Sequence, residues 1–259
     1  MKFNLIEYYL RDSIAYIMLN RPEKRNAFNE DLVNELKEAF NKAEIDKEVR
    51  GVVLGGRGKV FSAGADLGYL QGLQKNTYEE NLEDSNKLKD LYQHIYTYSK
   101  IVVAMVEGHA IAGGAGLATV CDFTFATPDA LFGYTEVKIG FIPAIVMVFL
   151  LRKIGEGKAK ELLLTGRLFD AKTANKMGLL YAVEPKATIQ KRVHEFITGL
   201  VKSSSSQSIA STKEMMHKVQ SMTIEDAFNY AAVMNAKGRD SEDCKRGIQA
   251  FLSKEEINW

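Results

Sequence analysis

Short apolar runs alternate with segments of helical periodicity along the first half of the chain. A short apolar run bounded by turn residues predicts a buried strand, and apolar residues at every third or fourth position predict an amphipathic helix. We predict strands at residues 3–9, 14–19, 49–54, 101–106, 123–126 and 131–133, the last two pairing around Pro128 and Asp129. Helices are predicted at 29–43, in one or two pieces within 68–99, and from Gly114 onward. This alternation indicates an α/β fold rich in parallel strands with right-handed crossovers.

The second half of the chain has a more helical pattern. Pro143 suits a first helical turn, and Asp170 suits the N-cap of a helix at 171–177 that Gly178 closes. A short strand at 180–183 and a helix at 188–201 precede the serine-rich segment 203–208, which is predicted to be a loop. Three further helices are predicted at 209–220, 224–237 and 240–251. We therefore divide the chain into an α/β core, residues 1–202, and a C-terminal helical region, residues 203–259.

Composition and charge narrow the class of protein. The 259 residues carry a net charge of +1 without a block of like charge, which predicts neither a nucleic-acid partner nor a membrane partner. The longest apolar run, 139–151, contains Pro143 and is shorter than the ~20 residues that span a bilayer. Cys121 and Cys244 provide neither a disulfide framework nor metal-ligand spacing, so we expect no metal and a cytoplasmic location.

Two turns of small residues, at 61–66 and 108–114, each follow a predicted strand and precede a predicted helix. Backbone N–H groups at such a junction can bind an anion, either a phosphate or a developing oxyanion. Neither turn matches a dinucleotide fingerprint, and Lys59 is followed by Val60 where a phosphate loop needs Ser or Thr. The sequence therefore argues against nucleotide binding, and tight packing alone is the alternative role for these turns.

Several segments together resemble the crotonase (enoyl-CoA hydratase/isomerase) family over nearly the whole chain. They are NRP at 20–22, FSAGADL at 61–67, GHAIAGG at 108–114, FGYTE at 132–136 and GFIP at 140–143. Within the family, the chain looks most like bacterial members assigned as methylglutaconyl-CoA hydratases. The resemblance implies a spiral of βαβ units with a C-terminal helical trimerisation region, assembling as a homotrimer or a dimer of trimers.

The resemblance also implies that a coenzyme A thioester is the substrate and that no separate cofactor is needed. The thioester oxygen would accept hydrogen bonds from the backbone N–H groups of Ala65 and Gly113, which stabilise an enolate-like state. Glu136 matches a catalytic glutamate of the family that exchanges a proton with a substrate carbon or with water. Because apolar residues such as Val137 and Ile139 flank Glu136, its charged form is disfavoured and its pKa should be raised.

Further substrate contacts are implied by the same resemblance. They involve Lys24, Arg25, Ala27, Ala63, Asp66 and Leu67 along the coenzyme A tail, Gly116 and Tyr134 near the acyl group, and Phe251 and Lys254 from an adjacent subunit. From its position before the predicted helix, Asp66 is more simply expected to cap that helix.

One position departs from the family pattern. Two-glutamate hydratases carry their first glutamate three residues after the oxyanion-hole glycine, where this chain has Gly116. Gly116 is expected to leave room for a branched or carboxylated acyl group. Hydration of a 2-enoyl-CoA, with methylglutaconyl-CoA as a candidate, is the first prediction. Double-bond isomerisation with Glu136 as a single acid is the second, and a non-catalytic acyl-CoA-binding or RNA-associated role is the third.

Overall fold

The computed structural model describes residues 3–259, and its strands form two sheets. In chain order the strands are β1 (Ile6–Arg11), β2 (Ile14–Leu19), β3 (Gly51–Gly56), β4 (Val60–Ser62), β5 (Ile101–Val106), β6 (His109–Ile111), β7 (Phe123–Ala126), β8 (Leu131–Gly133), β9 (Phe169–Asp170) and β10 (Ala182–Val183). The larger sheet has the order β1-β2-β3-β5-β7-β10, and the smaller has the order β4-β6-β8-β9. Only the outer strands β1 and β9 pair antiparallel among the described strands.

From β3 to β8, strands that follow one another in the chain lie in different sheets. β3 and β4, β5 and β6, and β7 and β8 each place one strand in the larger sheet and the next in the smaller one. The chain therefore winds as a spiral whose successive turns stack by parallel pairing, as the α/β prediction requires. The predicted pairing of 123–126 with 131–133 is wrong, because β7 pairs with β5 and β10 while β8 pairs with β6 and β9.

Eleven α-helices connect and cover the strands within the described part of the chain. They are α1 (Glu30–Ile45), α2 (Leu67–Leu73), α3 (Tyr78–Tyr96), α4 (Gly113–Thr119), α5 (Ala144–Ile154), α6 (Glu156–Thr165), α7 (Ala171–Met177), α8 (Ile189–Ser203), α9 (Ser206–Lys218), α10 (Ile224–Asp240) and α11 (Glu242–Ser253). The side chains of Asn29 and Asp170 cap α1 and α7 as predicted. The predicted loop at 203–208 is wrong in extent, since helix is absent only at Ser204 and Ser205.

Apolar side chains cover both faces of the larger sheet. All six residues of β2 are buried, which matches its continuous apolar sequence. On one face α8 packs Val193, Ile197 and Val201, spaced by four residues, against residues of the central strands. Helices α1, α3, α4 and α5 close the other face. The smaller sheet lies beside this second layer, and its strands β4 and β6 contact α4.

The C-terminal helices attach to the core through polar contacts. The ammonium group of Lys213 in α9 donates to the Asp122 carboxylate at 2.5 Å and to the Lys100 carbonyl oxygen at 2.8 Å. Helices α10 and α11 bury no residue in this chain. The division at residue 202 stays a prediction. No helix within residues 3–259 has the length and apolar character needed to cross a lipid bilayer.

Candidate active site

Parallel pairing in the smaller sheet brings the two small-residue turns together. β4 pairs with β6 through Val60 with His109 and Ser62 with Ala110, so both turns leave the same edge of the sheet. Gly64 has a φ of +87°, a conformation that favours glycine. A Cβ at Gly64 would lie 3.0 Å from the Ala112 Cβ and 3.6 Å from the Gly113 nitrogen. The two turns are therefore direct neighbours.

The backbone N–H of Ala65 is left free by a short bridge to the segment before α1. The N–H of Phe28 donates to the Gly64 carbonyl at 2.7 Å, and the N–H of Asp66 donates to the Phe28 carbonyl at 2.8 Å. In a parallel bridge of this kind the peptide groups on either side of Ala65 are used, and its own N–H faces the other way. This N–H has no acceptor within residues 3–259.

The backbone N–H of Gly113 is exposed by an unusual conformation at the preceding residue. Ala112 has φ +48° and ψ −121°, a sparsely populated region that costs about 1–3 kcal/mol. Its own N–H donates to the Gly133 carbonyl at 2.7 Å, which holds the turn against β8. Gly113 then opens helix α4, and its N–H finds no acceptor in the described chain. Gly114 is required because a Cβ there would lie 2.5 Å from the Ser62 carbonyl oxygen.

Glu136 reaches the same region from the next strand. β8 pairs in parallel with β6, and a short 3-10 helix, Glu136–Ile139, begins after β8 at the edge where the two turns lie. The Oε2 atom of Glu136 is buried and has no hydrogen-bond partner among residues 3–259. Burial raises the pKa of this carboxyl group above its usual value, while a backbone hydrogen bond of the same residue lowers it. A raised pKa for Glu136 was predicted from the sequence.

Ala65, Gly113 and Glu136 line one cavity of about 380 Å³. Most of its wall is apolar and comes from α1, α2, α3 and the segment before and within α5, including Val33, Leu70, Leu88, Phe141 and Val146. A carbonyl oxygen placed between the two free N–H groups would be polarised by both of them. The unpaired carboxylate in the same space could then exchange a proton with the bound molecule or with water.

The residues expected along the coenzyme A tail lie beside the first turn. Ala63 and Leu67 line the cavity, whereas Lys24 and Arg25 are exposed and Ala27 is buried. The N–H of Ala63 donates to the Arg25 carbonyl at 3.0 Å, so the two segments are adjacent. Contacts of these residues with coenzyme A stay a prediction.

Asp66 is a helix cap, as predicted from its position. Its carboxylate accepts from the Gly68 N–H at 2.8 Å and pairs with the Arg21 guanidinium at 2.7 Å. The Arg21 hydrogen bond, followed by that of Gly68, lowers the pKa of the Asp66 carboxyl group. Phe251 and Lys254 lie near the end of α11, exposed and outside the cavity lining. Their contribution to an adjacent subunit also stays a prediction.

The structure corrects two expectations about the acyl region. Gly116 does not leave open space, because a Cβ there would lie 2.5 Å from Val146 Cγ2 and 3.0 Å from Tyr92 Cε2. Tyr134 does not line the cavity: it is fully buried, and its hydroxyl lies 2.7 Å from Thr119 Oγ1. In both cases side chains from α3, α4 and α5 fill the space around the residue, and the sequence alone could not show these contacts.

Sequence reasoning missed four residues at or behind the cavity. Asp84 and Lys87 of α3 line it, Val146 of α5 both lines it and covers Gly116, and Tyr92 of α3 packs behind it. Asp84, Leu88 and Tyr92 are spaced by four residues, so one helix face carries all three. That spacing predicts a common face, but it does not show what the face contacts. Residues 3–259 hold no group of three or more His, Cys, Asp or Glu side chains arranged for a metal ion.

Comparison with known proteins agrees with this geometry. The family model for "Enoyl-CoA hydratase/isomerase" matches residues 10–259. A Thermus thermophilus protein, provisionally named an enoyl-CoA hydratase, is 43% identical over 93% of this chain and 95% of its own length. An enoyl-CoA hydratase structure from Shewanella pealeana superimposes with a TM-score of 0.94 at 28% identity, covering 100% of this chain and 97% of that one.

A Legionella pneumophila crystal structure, provisionally described as an enoyl-CoA hydratase/isomerase (crotonase), shares 35% identity over 98% of both chains with a TM-score of 0.89. The chain therefore belongs to the enoyl-CoA hydratase/isomerase family and has the crotonase fold. It is an enzyme of that family, as the residues of the two turns and Glu136 predicted, and the non-catalytic reading of the sequence is set aside.

Proposed function

We propose that this enzyme adds water to the double bond of a 2-enoyl-CoA thioester. The observation that supports this function is the convergence of two free N–H groups and one unpaired carboxylate on a single apolar cavity. The names of similar proteins as enoyl-CoA hydratases support the same reaction class. The apolar wall suits an acyl group, and the small residues of the turns let a thioester approach the backbone.

The chemistry follows from what each group can donate or accept. The N–H groups of Ala65 and Gly113 hydrogen-bond the thioester oxygen. Ionised Glu136 takes a proton from water, and the water oxygen bonds to C3. The electron pair of the C2–C3 double bond moves to form an enolate, whose oxygen charge the two N–H groups stabilise. Glu136 then returns its proton to C2, which completes the addition of water. Each donor to an oxyanion is worth about 10²–10³ in rate.

The test is the loss of conjugated absorbance when crotonyl-CoA is added to the protein. Glu136→Gln should lower kcat by at least about 10²-fold, because general acid–base groups contribute 10²–10⁴. Binding of coenzyme A should change little, since Glu136 is not required to hold the tail. Unchanged turnover in Glu136→Gln would remove this residue from the mechanism.

Isomerisation is a second candidate that a specific observation favours. Position 116 has no carboxylate, and Tyr92 and Val146 occupy the space around it. A single acid can take a proton from C2 of a 3-enoyl-CoA and return it to C4, with the enolate held by the same two N–H groups. Gain of conjugated absorbance from a 3-enoyl-CoA, without hydration of crotonyl-CoA, would favour this reaction over hydration.

Methylglutaconyl-CoA is the carboxylated substrate to test first. Lys87 is a cation at the cavity wall, 2.8 Å from Glu30 and 3.1 Å from Glu83, and it could pair with a substrate carboxylate instead. Lys87→Met should then lower kcat/KM several-fold for methylglutaconyl-CoA, because the variant lacks the cation that would pair with the substrate carboxylate. Its kcat/KM for crotonyl-CoA should stay unchanged, and an equal effect on both substrates would argue against recognition of a carboxylate.

A further inference from the structure

Tyr92 links helix α3 to the residue that carries one of the two cavity N–H groups. Its side chain is fully buried, and its hydroxyl donates to the Gly113 carbonyl oxygen at 2.5 Å. This carbonyl belongs to the same residue whose N–H faces the cavity. A hydrogen bond at the carbonyl therefore restricts the rotation of Gly113 and, with it, the direction of that N–H.

The turn around Gly113 needs such a restraint. Glycine has the greatest backbone freedom of any residue, and Ala112 before it lies in a sparsely populated conformation. A conformation of this kind persists only when its surroundings hold it. Two hydrogen bonds do so here: Ala112 donates to the Gly133 carbonyl from one side, and Tyr92 donates to the Gly113 carbonyl from the other.

The same ring occupies the space beside position 116. A Cβ at Gly116 would lie 3.0 Å from Tyr92 Cε2, 3.3 Å from the Tyr92 hydroxyl oxygen and 2.5 Å from Val146 Cγ2. Position 116 is therefore closed to a carboxylate side chain unless Tyr92 and Val146 move. The ring that restrains the donor also excludes a second acid from this place.

Tyr92 is a hydrogen-bond donor, because its hydroxyl meets the Gly113 carbonyl oxygen. Burial raises the pKa of its hydroxyl well above the usual value for tyrosine, and the negative charge of Glu136 adds to that rise. The hydroxyl therefore favours its protonated form, in which it donates to the Gly113 carbonyl oxygen. Tyr92 does not line the cavity, so we expect it to act on catalysis through the two places that it contacts, Gly113 and the space beside Gly116.

We propose that Tyr92 is a positioning residue that aims the Gly113 N–H at the thioester oxygen and, with Val146, confines the site to the single carboxylate of Glu136. The proposal rests on the function proposed above, because it assigns a role within the same oxyanion hole. It applies equally to hydration and isomerisation, since both need the enolate oxygen to be stabilised.

The chain offers a matched control for the kinetic test. Tyr98 is also fully buried and donates to a backbone carbonyl, that of Phe40, at 2.8 Å, but Phe40, unlike Gly113, does not line the cavity. Tyr92→Phe should lower kcat about 10-fold with KM within about twofold, because small displacements of a catalytic group cost about 10–10² in rate. Tyr98→Phe should lower the Tm by a similar amount and leave kcat unchanged. Equal kcat values for the two variants would overturn the proposal.

A spectroscopic measurement tests the direction of the Gly113 N–H group without any turnover. The absorbance of cinnamoyl-CoA shifts to longer wavelength when its carbonyl is polarised by hydrogen bonds. We expect a red shift on binding to the wild-type protein and to Tyr98→Phe, and a shift reduced by about half in Tyr92→Phe. A full shift in Tyr92→Phe would overturn the proposal.

Other outcomes of this measurement separate the proposal from the proposed function. A red shift in a wild-type protein that turns over no enoyl-CoA would refute the reaction while the comparison of variants still decides the role of Tyr92. Absence of a red shift in the wild-type protein would refute both. If Tyr92→Phe does not fold, 4-aminophenylalanine at position 92 replaces it as a weaker donor, and an unchanged shift again overturns the proposal.

Discussion

Glu136 shows how function conflicts with stability at a single residue. Its Oε2 atom is buried without a partner in residues 3–259, and a buried unsatisfied polar group destabilises a fold by about 1–3 kcal/mol. The same lack of partners leaves the carboxylate free to take a proton from water or carbon. If Glu136 has the proposed role, its chemistry therefore depends on an arrangement that weakens the folded state.

The loss of stability caused by the buried Glu136 carboxylate can be measured through its pH dependence. Burial raises the pKa of Glu136 in the folded state, so the folded chain binds this proton more tightly than the unfolded chain. The free energy of unfolding therefore falls as pH rises from the unfolded pKa through the folded pKa. Glu136→Gln should raise the Tm at pH 8 by about 2–4 °C, which corresponds to about 1 kcal/mol, and the gain should vanish below pH ~4.

Glu38→Gln is the control for this comparison, because Glu38 is exposed on α1. Its Tm should match that of the wild-type protein at both pH values. A lower Tm for Glu136→Gln at pH 8 would contradict the burial of an uncompensated charge. The activity has the corresponding pH dependence: kcat should fall on the acidic side at a pH above the usual range of a glutamate, because the ionised form takes the proton from water.

Gly116 provides a second prediction at this scale. Gly116→Ala places a methyl group 2.5 Å from Val146 Cγ2, and overpacking of this kind costs about 1–3 kcal/mol. Val146→Ala in the same chain should restore part of the lost stability, which thermal or urea unfolding would reveal. Gly199→Ala is the matched control on α8, where no atom lies within 4 Å of the added methyl, and it should be neutral or stabilising by up to about 1 kcal/mol. Additive losses in the double variant would contradict the contact.

At the scale of elements, helix α4 is held at both ends. Its first turn packs on β4, where Gly114 meets Ser62. At its other end, Lys153 of α5 donates to the carbonyl of its last residue, Thr119, and to that of Cys121 just beyond the helix. Lys153 Nζ lies 3.0 Å from the Thr119 oxygen and 2.7 Å from the Cys121 oxygen. A cation at the carbonyl end of a helix stabilises that helix. The helix that begins with the Gly113 donor is thus fixed from the opposite end as well.

The attachment of α9 gives a prediction about an element. Lys213→Met removes the ammonium group that joins Asp122 and the Lys100 carbonyl, and losing one partner of a buried ion pair costs about 3–5 kcal/mol. We expect faster hydrogen exchange across α9 and a lower Tm. Lys218→Met on the same helix removes an exposed pair with Glu214 and should change the stability little, because solvent screens that pair. Similar exchange rates in the two variants would show that Lys213 does not anchor the helix.

At the scale of the whole molecule, the C-terminal helices leave a large apolar surface uncovered. Phe228 of α10 and Phe251 of α11 are 73% and 82% exposed in the single chain. Exposed apolar surface of this extent usually marks a contact between chains, and closed symmetric oligomers are the common solution. This surface supports the prediction of a homotrimer or a dimer of trimers.

Light scattering after size exclusion would measure the assembly directly. We expect a mass of three or six chains for the wild-type protein and a smaller species for Phe251→Glu, because a charge would enter the contact. Ile45→Glu is the control: Ile45 is also 82% exposed but lies at the end of α1 in the core, and its substitution should leave the mass unchanged. A monomeric wild-type protein at micromolar concentration would refute the assembly.

The sequence by itself determined the elements and the chemistry that they could carry. Apolar periodicity located the strands and helices, since burial of one face requires that spacing. Small residues marked the two turns, because only small side chains leave backbone N–H groups accessible. The resemblance of these segments to the enoyl-CoA hydratase/isomerase family then allowed Ala65, Gly113 and Glu136 to be named before their positions in space were known.

Only the tertiary structure decided which elements meet. Apolar patterns show that a strand is buried but not which strand it pairs with, so β7 and β8 were wrongly expected to pair. Gly116 looked like open space because the sequence cannot show that Tyr92, 24 positions earlier, fills it. The folded packing of α3 against α4 and α5 set that contact, because side chains distant in sequence compete for the same volume.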